Sequence, residues 1–138
     1  MNHYTFDHIS VGHTESFTVV ITTEMMSGFM DVTGDVNPLH MDESYAKNAG
    51  FKDKVAYGML TASFMSTLAG MYLPGEYSLI HKVEVEFPLP VFVGDQLTFT
   101  GIVVQKEDVF KTVGLKVTAT NAENNKVLRG KIRLGVRK

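Results

Sequence analysis

An apolar stretch from Tyr57 to Leu73 constrains the fold of this chain more than any other part of the sequence. It is rich in methionine, leucine and alanine, and Pro74-Gly75 ends it. The stretch is too long for a typical strand, and its composition favours one helix of about four turns. Apolar residues fall on nearly every face of such a helix, so we expect it to be buried by other elements.

The hydrophobic period changes to two after this helix, which is typical of strands. Four long strands are predicted here, at residues 79–87, 96–106, 110–121 and 127–136. Their short connections favour antiparallel neighbours. An earlier β-rich run, Ser16–Ile21, can join them. The pattern predicts an α+β fold in which a long central helix packs on a curved antiparallel sheet of about five strands.

Two further helices are predicted before the apolar stretch. One covers residues 23–33, with Thr22 or Thr23 as its cap and Gly34 as its stop. A shorter one covers residues 42–49, with Asp42 as its N-cap. No linker or repeat divides the sequence, and a length of 138 residues suits a single domain over residues 1–138.

The composition excludes several classes of function. There are no cysteines, so disulfides, thiolate metal sites and a cysteine nucleophile are ruled out. A net charge of -2 gives no reason to expect nucleic-acid binding. No secretory signal is visible, and no apolar run reaches the roughly 18–20 residues that span a bilayer. We therefore expect a soluble, cytoplasmic protein without a membrane partner.

Basic residues concentrate near the end of the sequence, mostly on alternate positions of the last predicted strand. This spacing is typical of a solvated strand face, and a site for an anionic substrate group, such as a nucleotide phosphate, is the alternative. The residues are Lys126, Arg129, Lys131, Arg133, Arg137 and Lys138.

The segment between the first two helices carries the strongest chemical pattern. Asp35 and His40 flank Pro38, which has a fixed φ and no N–H and therefore cannot occupy a helix interior. We expect a loop that presents both side chains to one water molecule. Histidine exchanges protons near neutral pH, and a carboxylate can set its tautomer or share that work. The alternative is that Asp35 caps a turn while His40 only packs.

Gly58 opens the apolar helix, where unpaired N–H groups carry partial positive charge. Such a donor can stabilise a developing oxyanion, although Gly58 could equally serve only a tight helix entry. The helix hydroxyls of Ser63, Ser66 and Thr67 are expected to bond mainly to their own backbone. The five histidines lack the spacing of metal ligands, so no metal site is predicted.

Three segments together resemble a known family. Residues 35–42, with the sequence Asp-Val-Asn-Pro-Leu-His-Met-Asp, resemble the hydratase signature of the MaoC-like, (R)-specific enoyl-CoA hydratases. Residues 58–63 resemble the segment that opens that family's central helix, and residues 87–95 resemble its strand-turn segment. The resemblance implies the hot-dog fold, in which the sheet wraps the central helix, and a homodimer or higher homo-oligomer.

The resemblance also implies a mechanism. A trans-2-enoyl-CoA would place its thioester oxygen near the N–H of Gly58, while Asp35 and His40 hold a water against C3. Addition of the water would give an (R)-3-hydroxyacyl-CoA, without a metal or redox cofactor. Asn37 would shape the loop or form hydrogen bonds near the site, and Ser66 matches the family's helix serine, which supports the pair. Tyr57 departs from the histidine that the family usually has before this glycine.

Other functions remain open at the level of sequence. The same fold can serve an acyl-thioester hydrolase or a dehydratase acting on acyl-carrier-protein substrates. Hot-dog thioesterases often use a carboxylate on the central helix, and residues 57–73 contain none. A non-catalytic subunit that binds acyl-CoA would keep the pocket without needing Asp35 and His40.

Overall fold

A single antiparallel sheet of five strands is the central element of the structure, a computed structural model that describes residues 1–138. The strand order is β1-β3-β4-β5-β2, so β1 and β2 are the two edges. This arrangement confirms the prediction of about five antiparallel strands. The strands are β1 Thr14–Val20, β2 Ser78–Glu86, β3 Gln96–Glu107, β4 Thr112–Thr120 and β5 Lys126–Val136.

Four α-helices precede β2. The apolar stretch forms α4, which continues directly into a π-helical segment, Leu68–Tyr72. The prediction of one long helical stretch is thus correct in extent, although its last turn is widened. None of the helices combines the length and apolar character needed to cross a bilayer. The helices are α1 Thr23–Thr33, α2 Pro38–Met41, α3 Glu43–Asn48 and α4 Gly58–Thr67.

The bounds of α1 agree with the prediction because both of its ends are set locally. The Thr22 hydroxyl oxygen accepts a hydrogen bond from the Met25 N–H at 3.1 Å, which is an N-cap. Gly34 ends the helix with φ 72°, a left-handed conformation that glycine adopts without a steric cost.

The expected loop from Gly34 to His40 is shorter than predicted, because His40 lies in the one-turn helix α2. Pro38 is excluded from helix interiors but not from the first turn, where its missing N–H would have no partner. The Asn37 side chain caps this turn by accepting a hydrogen bond from the Leu39 N–H at 3.0 Å. His40 is therefore held on a helical turn, and only residues 34–37 form the loop.

The sheet curves around the central helix. β1 and β2 lie at opposite edges, yet both contact the π-helical segment. Two glycines of the sheet let the helix come close: a Cβ at Gly101 would lie 2.7 Å from Leu68 Cδ2, and one at Gly130 would lie 2.7 Å from Met65 Cε. Met65 and Leu68 are almost completely buried, as the apolar pattern predicts.

The basic residues of β5 face away from this core. Arg129, Lys131 and Arg133 are exposed and alternate with buried Ile132 and Leu134. Arg129 lies 3.5 Å from a Glu86 carboxylate oxygen in an exposed ion pair. This placement agrees with a solvated outer face of the sheet.

Candidate active site

A largely apolar cavity of about 770 Å³ lies between α1, α4 and β2. Four of the five predicted site residues line it, while Asn37 lies outside the lining. The sequence separates these four residues widely, and the fold brings them to one opening. They are Asp35, His40, Gly58 and Ser66.

His40 is oriented by a backbone carbonyl. Its Nδ1 lies 2.6 Å from the carbonyl oxygen of Val55. A carbonyl only accepts, so Nδ1 carries the proton in this contact, and Nε2 of the neutral ring keeps its lone pair. The Val55 N–H in turn donates to the Leu39 carbonyl at 3.1 Å, which ties the segment after α3 to α2. The imidazole is thereby prepared to accept a proton through Nε2.

Asp35 is held through its main chain and its carboxylate. Its Oδ1 accepts a hydrogen bond from the Asn37 N–H at 3.0 Å, and its own N–H donates to the Thr33 hydroxyl at 3.3 Å. The side chain is exposed on the cavity wall. Asn37 therefore shapes the turn, through its N–H on one side and its cap of α2 on the other. This is one of the two roles predicted for it.

Gly58 is the first residue of α4, and no side chain caps that end of the helix. The N–H groups of the first turn of α4 are therefore available as donors beside the cavity. A Cβ at this position would lie 3.5 Å from the Phe87 ring, an ordinary contact. Glycine is thus not required by crowding.

The two helix serines differ in their bonding. The Ser63 hydroxyl donates to the Leu60 carbonyl at 2.6 Å, as expected for a helix hydroxyl. Ser66 is exposed and lines the same cavity, and its hydroxyl forms no hydrogen bond with Asp35 or His40. Direct support of the pair by Ser66 therefore stays a prediction.

Parts of the site were not found from the sequence. The acceptor for His40 is a main-chain carbonyl, which has no residue-type signal. One wall of the cavity comes from β2, through Ile80, Val83 and Val85. The alternation of β2 predicts a strand, but only the sheet order places that strand beside α4.

Known proteins are similar to this chain in sequence and in fold. The family described as "MaoC like domain" matches residues 10–125. The (R)-specific enoyl-CoA hydratase of Rhodospirillum rubrum is 36% identical over 115 residues, which cover 80% of this chain and 79% of that protein. The chain belongs to the MaoC-like domain family. The match extends well beyond the three segments that carry the resemblance in sequence.

Solved structures of hydratases have the same fold as this MaoC-like chain. An (R)-hydratase from A. caviae superimposes with a TM-score of 0.88 and 27% identity, over 93% of this chain and 97% of that one. An R-hydratase from Pseudomonas aeruginosa gives a TM-score of 0.91 at 27% identity, over 97% and 86% respectively. The hot-dog fold predicted from the resemblance is confirmed.

Proposed function

We propose that the protein catalyses the reversible, (R)-specific hydration of trans-2-enoyl-CoA to (R)-3-hydroxyacyl-CoA. One observation carries the proposal: Asp35 and His40 line the same apolar cavity as the uncapped N-terminus of α4. A proton-transfer pair and an oxyanion donor are therefore available on a single acyl-sized opening. The similar hydratase of Rhodospirillum rubrum supports the reaction class.

The chemistry follows from this arrangement. The thioester oxygen accepts a hydrogen bond from the Gly58 N–H, which draws electrons from the conjugated double bond and makes C3 electrophilic. A water held between Asp35 and His40 adds to C3 through its oxygen and gives one proton to the pair. C2 then accepts a proton from the pair as the enolate collapses, which returns Asp35 and His40 to their starting state. Asp35 and His40 share the roles of base and acid in this reaction.

Two alternatives fit the site less well. A thioesterase attacks the carbonyl carbon, and the carboxylate that hot-dog thioesterases often place on the central helix is absent between residues 57 and 73. A non-catalytic subunit would bind acyl-CoA without needing a histidine whose Nδ1 is anchored and whose Nε2 is left free. A dehydratase of acyl-carrier-protein substrates uses the same chemistry in reverse and differs in the carrier.

The test is the loss of enoyl absorbance with crotonyl-CoA and longer trans-2-enoyl-CoA substrates, followed by chiral analysis of the product. We expect hydration to an (R)-3-hydroxyacyl-CoA without release of free CoA. An (S) product, or free CoA, would rule out the proposal. Activity on acyl-carrier-protein thioesters alone would favour the dehydratase.

The oxyanion role of Gly58 can be separated from its size. Gly58→Pro removes the N–H at the first helical position, where proline is tolerated, and we expect kcat to fall by about 10²–10³-fold. Gly58→Ala keeps the N–H and adds a Cβ that makes only an ordinary contact with Phe87, so it should retain most activity. Comparable losses in both variants would point to a steric role instead.

We also propose a homodimer assembled at the β2 edge. This strand pairs only with β5, and its residue Leu79, which lies outside the cavity lining, is 54% exposed. A free edge with apolar side chains favours pairing with a second strand. Sedimentation velocity should detect a dimer at micromolar concentration, and a monomer would contradict this assembly. A cytoplasmic location stays a prediction from the sequence.

A further inference from the structure

Tyr57 is a buried polar residue that contacts both members of the proposed catalytic pair. Its side chain is almost wholly inaccessible, with 2% of the residue exposed. The hydroxyl donates to the main-chain carbonyl of Asp35 at 2.6 Å. The ring lies against the His40 imidazole, with centroids 4.2 Å apart and planes inclined by 32°. Tyr57 also directly precedes Gly58, the proposed oxyanion donor.

We propose that Tyr57 is a positioning residue that sets the separation between Asp35, His40 and the N–H of Gly58. This inference rests on the proposed function, because it assigns a role within the same hydration reaction. Tyr57 does not act on the substrate in this role. It holds the groups that act on the substrate, and its hydroxyl, its ring and its main chain each contribute to this.

The first part is the hydroxyl. Asp35 lies in the short loop between α1 and α2. Its peptide carbonyl accepts a hydrogen bond from the Tyr57 hydroxyl, which is 22 residues later in the sequence. The other hydrogen bonds of Asp35, with Thr33 and Asn37, lie within the same local turn and do not connect the loop to α4. The hydroxyl therefore supplies a hydrogen bond that ties the loop to the start of α4.

The second part is the ring. It lies against both His40 and Phe29, whose ring centroids are 4.2 Å and 4.8 Å away. These two aromatic contacts hold the phenol beside the imidazole and limit the movement of both rings. His40 is then held both by the Val55 carbonyl and by its contact with the Tyr57 ring.

The third part is the main chain. Tyr57 is the N-cap of α4, and its carbonyl accepts the Thr61 N–H at 3.2 Å. The position of the ring is thus linked to the start of the helix and to the N–H groups that follow it.

Burial raises the pKa of the Tyr57 phenol, and the negative charge of Asp35 raises it further. The hydroxyl consequently remains a donor across the working pH range of an enzyme.

The variant Tyr57→Phe tests the role, because it deletes the hydroxyl and keeps the ring. We expect kcat for crotonyl-CoA hydration to fall between about tenfold and a hundredfold, since small misplacements of catalytic groups carry costs of this size. KM should change by less than about threefold, because the lost bond is made to the loop and not to the substrate. The thermal unfolding midpoint reports whether the variant is folded.

A matched control is Tyr4→Phe. The Tyr4 hydroxyl donates to a Glu15 carboxylate oxygen at 2.8 Å in a part-buried contact outside the cavity. This variant also deletes one tyrosine hydroxyl and its hydrogen bond, and it should keep the wild-type kcat. The amide nitrogen of Val36 shares a peptide group with the accepting carbonyl of Asp35. Its ¹⁵N resonance should therefore shift in Tyr57→Phe and stay in place in Tyr4→Phe.

The outcomes separate this inference from the proposed function. A wild-type protein that does not hydrate enoyl-CoA would refute the function itself. An active wild type with an unchanged kcat in Tyr57→Phe would overturn the positioning role alone. A fall in kcat of equal size in Tyr4→Phe, or an unmoved Val36 resonance in Tyr57→Phe, would also overturn it.

Discussion

Replacing His40 by alanine is expected to lower kcat for crotonyl-CoA hydration by about 10³-fold, within the range that general acid–base groups contribute. The change removes the imidazole whose Nδ1 is bound to the Val55 carbonyl and whose Nε2 is free for the water. Asp35→Asn should cause a loss of similar order, because it removes the charge while keeping the side-chain size. Steady-state kinetics with crotonyl-CoA measures both losses.

His81→Ala is the control for the histidine change, because His81 is an exposed residue outside the cavity lining. It should leave kcat unchanged. If Asp35 and His40 act on one water, the double variant will be little worse than either single variant, since members of one catalytic unit are strongly non-additive. Retained hydration in both single variants would remove the pair from the mechanism.

Phe99→Ala is expected to lower the free energy of unfolding by about 3–5 kcal/mol, the range for deleting a fully buried phenylalanine. Phe99 lies on β3 with 0% exposure. Its ring stacks on Phe17 at 5.4 Å and meets Phe64 of α4 at 5.7 Å. The change leaves a cavity between the sheet and the helix that carries the site. Urea denaturation followed by circular dichroism measures the loss.

Phe110→Ala provides the matched control on the same kind of side chain. Phe110 is 79% exposed in the turn after β3, so its removal should change the free energy of unfolding by less than about 0.5 kcal/mol. Equal effects of the two substitutions would mean that the helix and sheet do not pack through Phe99. A large effect for Phe99 alone would support packing of the helix on the sheet through Phe99.

Local signals in the sequence predicted the elements well. The bounds of α1 follow from Thr22 and Gly34, which act within one turn of the helix. The strands follow from alternation, whose buried positions on β3 and β4 match the core. The short helix α2 was missed because Pro38 is a residue that a helix interior excludes. Proline is also favoured at the first position of a helix, where α2 begins.

The site was predicted in composition more than in geometry. The turn chemistry around Pro38 singled out Asp35 and His40, and the helix start singled out Gly58. The Val55 carbonyl and the β2 wall could not be predicted, because they depend on pairings between distant segments. Tyr57 looked like a departure from a family pattern, and only its contacts with Asp35 and His40 gave it a role.

The order of the strands in the sheet has a consequence for synthesis on the ribosome. β2 has β5 as its sole neighbour in the sheet, and β5 comes last of the five strands along the sequence. During translation, α4 and the segment carrying Asp35 and His40 emerge early, but the wall that β2 provides has no partner until residues 126–136 are available. Such distant pairing slows folding and leaves apolar surface exposed in the meantime. Nascent chains that stop before β5 should therefore lack the β2 wall of the cavity even though they contain every proposed catalytic residue.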